Sequence, residues 1–154
     1  MDAATIEKYA GGGAELAESI RGLDLGDFLA FPVPGTWSIQ QIVWHMADSD
    51  LIGSDRMKRV IAEDHPTLLA YDENRFATRL YYEALDPFLA VEIFALNRRI
   101  TAEILRRLEP ATFKRTGMHT ETGEKSLEKL VTGYIEHLEH HLKFVREKRK
   151  LLGK

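Results

Sequence analysis

The sequence predicts an all-α protein, a four-helix bundle with a long crossover between its second and third helices. Three observations lead there. Apolar residues recur at the helical period over four long stretches, and strand-like alternation is scarce. Capping residues and prolines stand where those stretches begin and end. The 154 residues suffice for one domain with a sizeable core and are too few for two, so residues 1–154 are read as one helical-bundle domain.

The first helix is expected from about Thr5 to Leu23, interrupted or frayed by Gly11, Gly12 and Gly13, which cost helix stability. After the loop "FPVPGTW", Ser38 and Gln41 stand at capping-box spacing, where hydroxyl and amide side chains can satisfy each other's backbone donors. They open a second helix carried to about Asp64, with Pro66 just beyond it. Tyr71 to Leu85 reads as a loop with a short helix. Asp86-Pro87 then starts the third, since proline at a first-turn position needs no amide donor. Phe88, Val91, Phe94, Leu96, Ile100, Ile104, Leu105 and Leu108 sustain the period up to Pro110. The polar connection "TGMHTETGEKS" reads as an irregular hairpin. Ser126 caps the last helix, which runs to about Leu151.

Composition narrows the function classes. Hydrophobic content of 44%, charged content of 29% and a net charge of -3 describe a soluble globular chain without the basic excess of a nucleic-acid binder. No apolar run approaches the roughly 20 residues of a membrane span, and "MDAATIEKYAGGGAEL" lacks the basic start and apolar core of a signal peptide, so a cytoplasmic location is expected. The basic terminal run "KFVREKRKLLGK" suits the negative end of a helix dipole and has no aromatic platform for bases beside it. There is no cysteine, so any metal must be held by histidine or carboxylate.

The last helix carries three histidines in "YIEHLEHHLKFV". At about 100° per residue, His141 falls roughly 40° from the centre of the apolar stripe, His137 roughly 80° and His140 roughly 140°. His137 and His141 are one turn apart on one face, as when a rigid helix offers two imidazoles to one ion. His45, on the flank of the second helix's apolar stripe, can complete a set of three if the second and last helices are neighbours. Three neutral imidazoles leave a metal its full charge and an open position. The competing reading makes these residues a polar border to the core.

Other residues carry paired readings. Asp50, near the centre of the second helix's apolar stripe, is either a general base or, favoured here, the partner of Arg98 or Arg99. Asp48 is placed to orient His45 through its other nitrogen, or is solvated. His119, in the loop before the last helix, either lines a cleft or is exposed. Asp50 and His119 are thus weak catalytic candidates. Trp44 and Leu51 form a second apolar face that another helix or a second subunit can cover, which makes a homodimer an expectation.

Taken in order, "TWSIQQIVWHMADSD", "YDENRFATRLYYEALDP", "FALNRRITAEILRRLEP" and "HTETGEKSLEKLVTGYIEHLEHHLKFV" resemble the DinB/YfiT superfamily of four-helix metalloenzymes, nearly throughout from Trp37 onward. The resemblance implies a divalent metal, often nickel or zinc, held by His45, His137 and His141, with His140 the alternative to His141 if the helix is rotated. It also implies thiol S-transfer or isomerisation with a low-molecular-weight thiol and a small electrophilic substrate, or hydrolysis. A non-catalytic, dimeric helical binding module is the remaining alternative.

Overall fold

The computed structural model describes residues 1–154. In chain order the elements are α1 (Ala3–Ser19), α2 (Leu25–Leu29), α3 (Ile39–Ala62), β1 (Thr67–Leu68), α4 (Glu73–Arg79), a 3-10 turn (Tyr82–Ala84), α5 (Pro87–Leu105), a second 3-10 turn (Pro110–Lys114), β2 (Thr116–His119), β3 (Gly123–Ser126) and α6 (Leu127–Leu151). Helices α1, α3, α5 and α6 form the bundle. Both α1 and α3 pack against α5 and α6, so the two helices closest in sequence stand at opposite corners. That arrangement makes α3 and α6 neighbours.

The caps form where the sequence places them. Ser38 Oγ accepts from the Gln41 amide at 3.2 Å while Gln41 Oε1 accepts from the Ser38 amide at 3.0 Å. Ser126 Oγ accepts from the Lys129 amide at 3.2 Å, and Asp86 caps α5 ahead of Pro87.

Two expectations are corrected in α1 and α5. Gly11, Gly12 and Gly13 do not break α1, which is continuous but ends at Ser19 rather than Leu23. A Cβ on Gly12 would fall on the Arg98 guanidinium, and one on Gly13 would come within 2.7 Å of Ala95, so these two glycines admit α5 to close range. In α5 the apolar residues occupy two faces. The inward face is Ala90, Val91, Phe94, Asn97, Arg98, Thr101, Ala102 and Leu105, whereas Phe88, Leu96 and Ile100, which sustain the apolar period in the sequence, are exposed. A polar group inside and leucines outside defeat a reading by hydropathy alone.

The core is two apolar clusters, one around Leu16, Val43, Phe94 and Leu142 and the other around Tyr9, Met57, Leu127 and Val131. Beside them a buried polar network crosses the bundle. Arg98 Nε donates to Asp50 Oδ1 at 2.8 Å, Nη1 to the Tyr9 carbonyl at 3.3 Å and Nη2 to the Tyr134 carbonyl at 2.7 Å. Asn97 Nδ2 donates to Asp50 Oδ2 at 2.8 Å, and Ser54 Oγ donates to Asn97 Oδ1 at 2.9 Å. Asp50 is therefore the partner of Arg98, not of Arg99, and its carboxylate is committed inside the core. This removes it from the catalytic candidates.

A small sheet adds what helical periodicity misses. The hairpin β2–β3 is regular, with Thr116 opposite Ser126 and His119 opposite Gly123, and β1 pairs parallel to β2. The Met118 amide donates to the Pro66 carbonyl at 2.8 Å and the Thr120 amide to the Leu68 carbonyl at 3.1 Å. The start of the crossover is thereby tied to the hairpin that leads into α6.

Replacing Arg98 with Met should cost about 3–5 kcal/mol, because it leaves the Asp50 carboxylate buried without its cation. The double variant Arg98→Met/Asp50→Leu should recover much of that loss. Urea unfolding of the three proteins tests this; a single variant as stable as wild type contradicts the account.

Candidate metal centre

Three imidazoles meet between α3 and α6. His45 enters from α3 with 1% of its surface exposed, and His137 and His141 enter from α6, half-buried. His137 Nε2 lies 3.2 Å from His45 Nε2 and 3.1 Å from His141 Nε2, and one ring nitrogen from each residue lies within 4.8 Å of the others. His140 is exposed, with its ring against Phe144 at 4.8 Å between centroids. Of the two candidates one turn or less from His137, it is His141 whose nitrogen joins the cluster. The Trp37 ring, 4.8 Å from that of His45 and stacked on His141 at 6.5 Å and 12°, closes one side.

Burial, with neighbouring imidazoles adding to it, holds His45 and His137 down to about 3 and His141 to about 4, against an ordinary value of 6.5. The rings are neutral near pH 7, and neutral rings keep a lone pair for a ligand. Three lone pairs this close repel unless protons or a cation stand among them, and three histidine nitrogens are a normal donor set for a divalent transition metal. The residues fit such an ion. One feature departs from the usual pattern: the Nδ1 atoms of His45, His137 and His141 are buried with no protein acceptor, whereas metal-bound imidazoles commonly donate to one. Asp48 does not fill that role for His45; it accepts from the Tyr82 hydroxyl at 2.5 Å.

Two clefts adjoin the histidines. The larger, about 510 Å³, includes His137, Ser49, Arg56, Tyr71, His119 and Tyr134 among its walls. The smaller, about 420 Å³, includes His141, Trp37, Ile42, Phe144 and Lys148. Glu73 lines both and holds its Oε2 3.6 Å from His45 Nε2. His119 does line the larger cleft, but its Nδ1 faces the amides of Glu121 and Thr122 at 3.2 and 3.3 Å, which commits that nitrogen to the hairpin turn. Sequence reasoning missed Glu73 and Arg56. Glu73 follows Asp72, the cap of α4, in a crossover whose path no periodicity reveals. Arg56 sits in α3 among charged residues that do face water.

A family model described as the DinB superfamily matches residues 10–145, which include all three histidines. The chain belongs to the DinB superfamily. Among its relatives, a protein of Oceanobacillus iheyensis named "Putative metal-dependent hydrolase" is 34% identical over 108 residues, covering 70% of this chain and 62% of that relative. The chain thus spans about three-fifths of that protein's length. YfiT of Bacillus subtilis, named in the same way, is 31% identical over 121 residues, covering 77% of this chain and 67% of YfiT. The solved structure of YfiT, described as an unusual four-helix bundle topology, superposes with a TM-score of 0.92 at 24% identity, over 97% of this chain and 86% of that one. A mycothiol-dependent maleylpyruvate isomerase shares the fold at a TM-score of 0.71 and 12% identity, over 90% and 58% of the respective chains. No helix is long and apolar enough to cross a membrane.

The depressed histidine values fix a sign for acid stability. The unfolded chain takes up protons near 6.5, while the folded, metal-free chain resists until about 3 to 4, so folding is fully favoured above the unfolded value and loses ground as pH falls below it. The urea midpoint of metal-free protein should drop steadily from pH 7 to pH 5, and less so in His137→Phe. An unchanged midpoint in wild type would contradict the burial of neutral rings.

Proposed function

We propose that this chain is a metal-dependent enzyme in which His45, His137 and His141 hold a divalent transition metal, nickel or zinc, and that it joins a low-molecular-weight thiol to a small electrophile. The observation that carries the reading is the pair of clefts, one reaching His137 and the other His141, with Glu73 as their shared wall. Hydrolysis needs room for one organic substrate and a water. Transfer needs room for two, and each cleft is of small-molecule size. With no cysteine in the chain, the thiol has to come from a co-substrate.

When bound, the metal supplies a positive charge that favours the anionic form of a thiol or water and polarises the electrophile. The chain does the rest. Burial keeps the three imidazoles neutral and available, and the Trp37 ring limits water on one side. Glu73 Oε2 takes the proton of the thiol as sulfur bonds to the electrophilic carbon and the leaving group, halide in an aryl halide, departs with the electron pair of its bond. Hydrolysis is the second reading, favoured by the names of the relatives; in it Glu73 takes the proton of a water instead.

A homodimer is also proposed, but on a different surface from the one the sequence pointed to. Trp44 is covered by Tyr82 of the same chain, stacked at 6.2 Å. On α5, Leu89, Ile93, Leu96 and Ile100 are between 38% and 54% exposed at spacings of four, three and four, the seam of a helix that packs on another helix. A second copy presents the same seam.

Protein purified without a histidine tag should contain about one equivalent of transition metal, lost in His137→Ala/His141→Ala. Failure to take up metal after reconstitution sinks both reactions. Product from an activated aryl halide only when thiol is added supports transfer, whereas turnover of an activated ester without thiol supports hydrolysis. Glu73→Gln should lower the rate by about 10²-fold or more with metal content unchanged. Light scattering after size exclusion should show a dimer that Leu96→Glu converts to monomer; a monomeric wild type rules the dimer out.

A further inference from the structure

Two arginines are buried in this molecule, and they differ in one respect. Arg98 has Asp50 at 2.8 Å. Arg56, only 9% exposed, has no carboxylate within 4.0 Å. Its Nη1 donates to the Tyr134 hydroxyl at 3.0 Å and its Nη2 to the Leu69 carbonyl, both neutral acceptors. Its Nε is buried with no partner. A guanidinium carries five N–H donors, so these two bonds leave most of its capacity, and all of its charge, unanswered. The neighbouring acid in sequence, Asp55, is engaged with Arg59 at 2.8 Å.

A buried cation without an anion is costly, and a chain that keeps one usually meets the charge with something else. Arg56 lines the larger cleft, the one that reaches His137. Lys125 and Lys129 line it too, and neither has an acid within 4.0 Å. The acids of the cleft, Glu73 and Glu136, are both exposed. Tyr71 and Tyr134 add aromatic wall, and Tyr134 links the two sides, its hydroxyl 3.0 Å from Arg56 Nη1 and its ring 6.2 Å from that of His137.

We infer that Arg56 anchors the carboxylate of an organic substrate in the larger cleft, so that the site selects anionic molecules whose reactive carbon lies toward the histidines. The planar fork of a guanidinium matches a carboxylate through two parallel hydrogen bonds, and in a desolvated setting such bonds are strong. Lys125 and Lys129 contribute charge at the approach. Arg56 is a specificity-determining residue in this account, and the chemistry stays with the histidines and Glu73. The inference rests on the reading of this cleft as the substrate site, but its test does not require turnover.

The probe is benzoate, with benzamide as a neutral molecule of the same shape and inorganic phosphate as a second anion, each titrated by calorimetry into the full chain, metal-free and metal-loaded. Benzoate should bind metal-free protein at least about tenfold more tightly than benzamide, as one charge-assisted pair in a desolvated site allows. Arg56→Gln should erase the preference while metal content stays at that of wild type, and Arg56→Lys should keep part of it. Equal binding of benzoate and benzamide, no saturable benzoate binding, or a preference that survives Arg56→Gln would each overturn the inference. Phosphate binding more tightly than benzoate would overturn the assignment to carboxylates. The wild-type comparison decides even if Arg56→Gln fails to fold. Benzoate preference without metal uptake would leave Arg56 as an anion site and refute the enzyme reading alone.

Discussion

The guanidinium of Arg98 is the joint on which the bundle depends. It belongs to α5, bonds the carboxylate of Asp50 on α3, and donates to backbone carbonyls of Tyr9 on α1 and Tyr134 on α6. One side chain thus fixes the relative height of all four long helices. Its faces are covered by the Tyr9 and Phe94 rings, 4.6 and 4.4 Å from the guanidinium carbon. A hydrophobic contact tolerates sliding, whereas hydrogen bonds to specific carbonyls do not. The histidine cluster inherits this register, because Asp50 lies five residues after His45 and Tyr134 three before His137.

Close approach makes the joint possible. Gly12 leaves space for the Arg98 head, and a Cβ on Gly53 would occupy the Tyr134 ring. Both glycines are helical, so their value here lies in the missing side chain rather than in backbone freedom. The consequence reaches the site. The space that Gly53 leaves is filled by the Tyr134 ring, whose hydroxyl accepts from Arg56 Nη1 at 3.0 Å, and its neighbour one turn on, His137, faces His45.

The electrostatics of the two polar regions are opposite in kind. Around Arg98 every charge has a partner, which stabilises one arrangement of helices and leaves nothing for a ligand. Around His45, buried, and His137 and His141, half-buried, the rings are neutral and short of partners: three Nδ1 atoms lack acceptors, and the exposed Glu73 stands beside them. Completed networks hold a fold; incomplete ones are where a ligand has something to add.

The long helices, their caps and the pairing of His137 with His141 on one helix face were legible because they depend on short-range spacing, whereas His45 joins that pair only because α3 and α6 are neighbours. Ser38 with Gln41, Pro87 behind Asp86, and the one-turn separation of His137 and His141 all lie within four residues, and a helix converts such separations into geometry without help from the rest of the chain. The cleft was not legible. Glu73 and Tyr71 come to the histidines through the path of the crossover, which the pairing of β1 with β2 ties down across some 50 residues between Leu68 and His119, and Arg56, on α3, faces the cleft that these residues complete. Likewise the inward turn of Arg98 and outward turn of Leu96 invert what hydropathy ranks first. Local spacing in the chain settles which long helices form and which donors share a helix face, whereas the small sheet, the choice of neighbouring helices and the charges left facing a cavity depend on long-range packing that no local periodicity encodes.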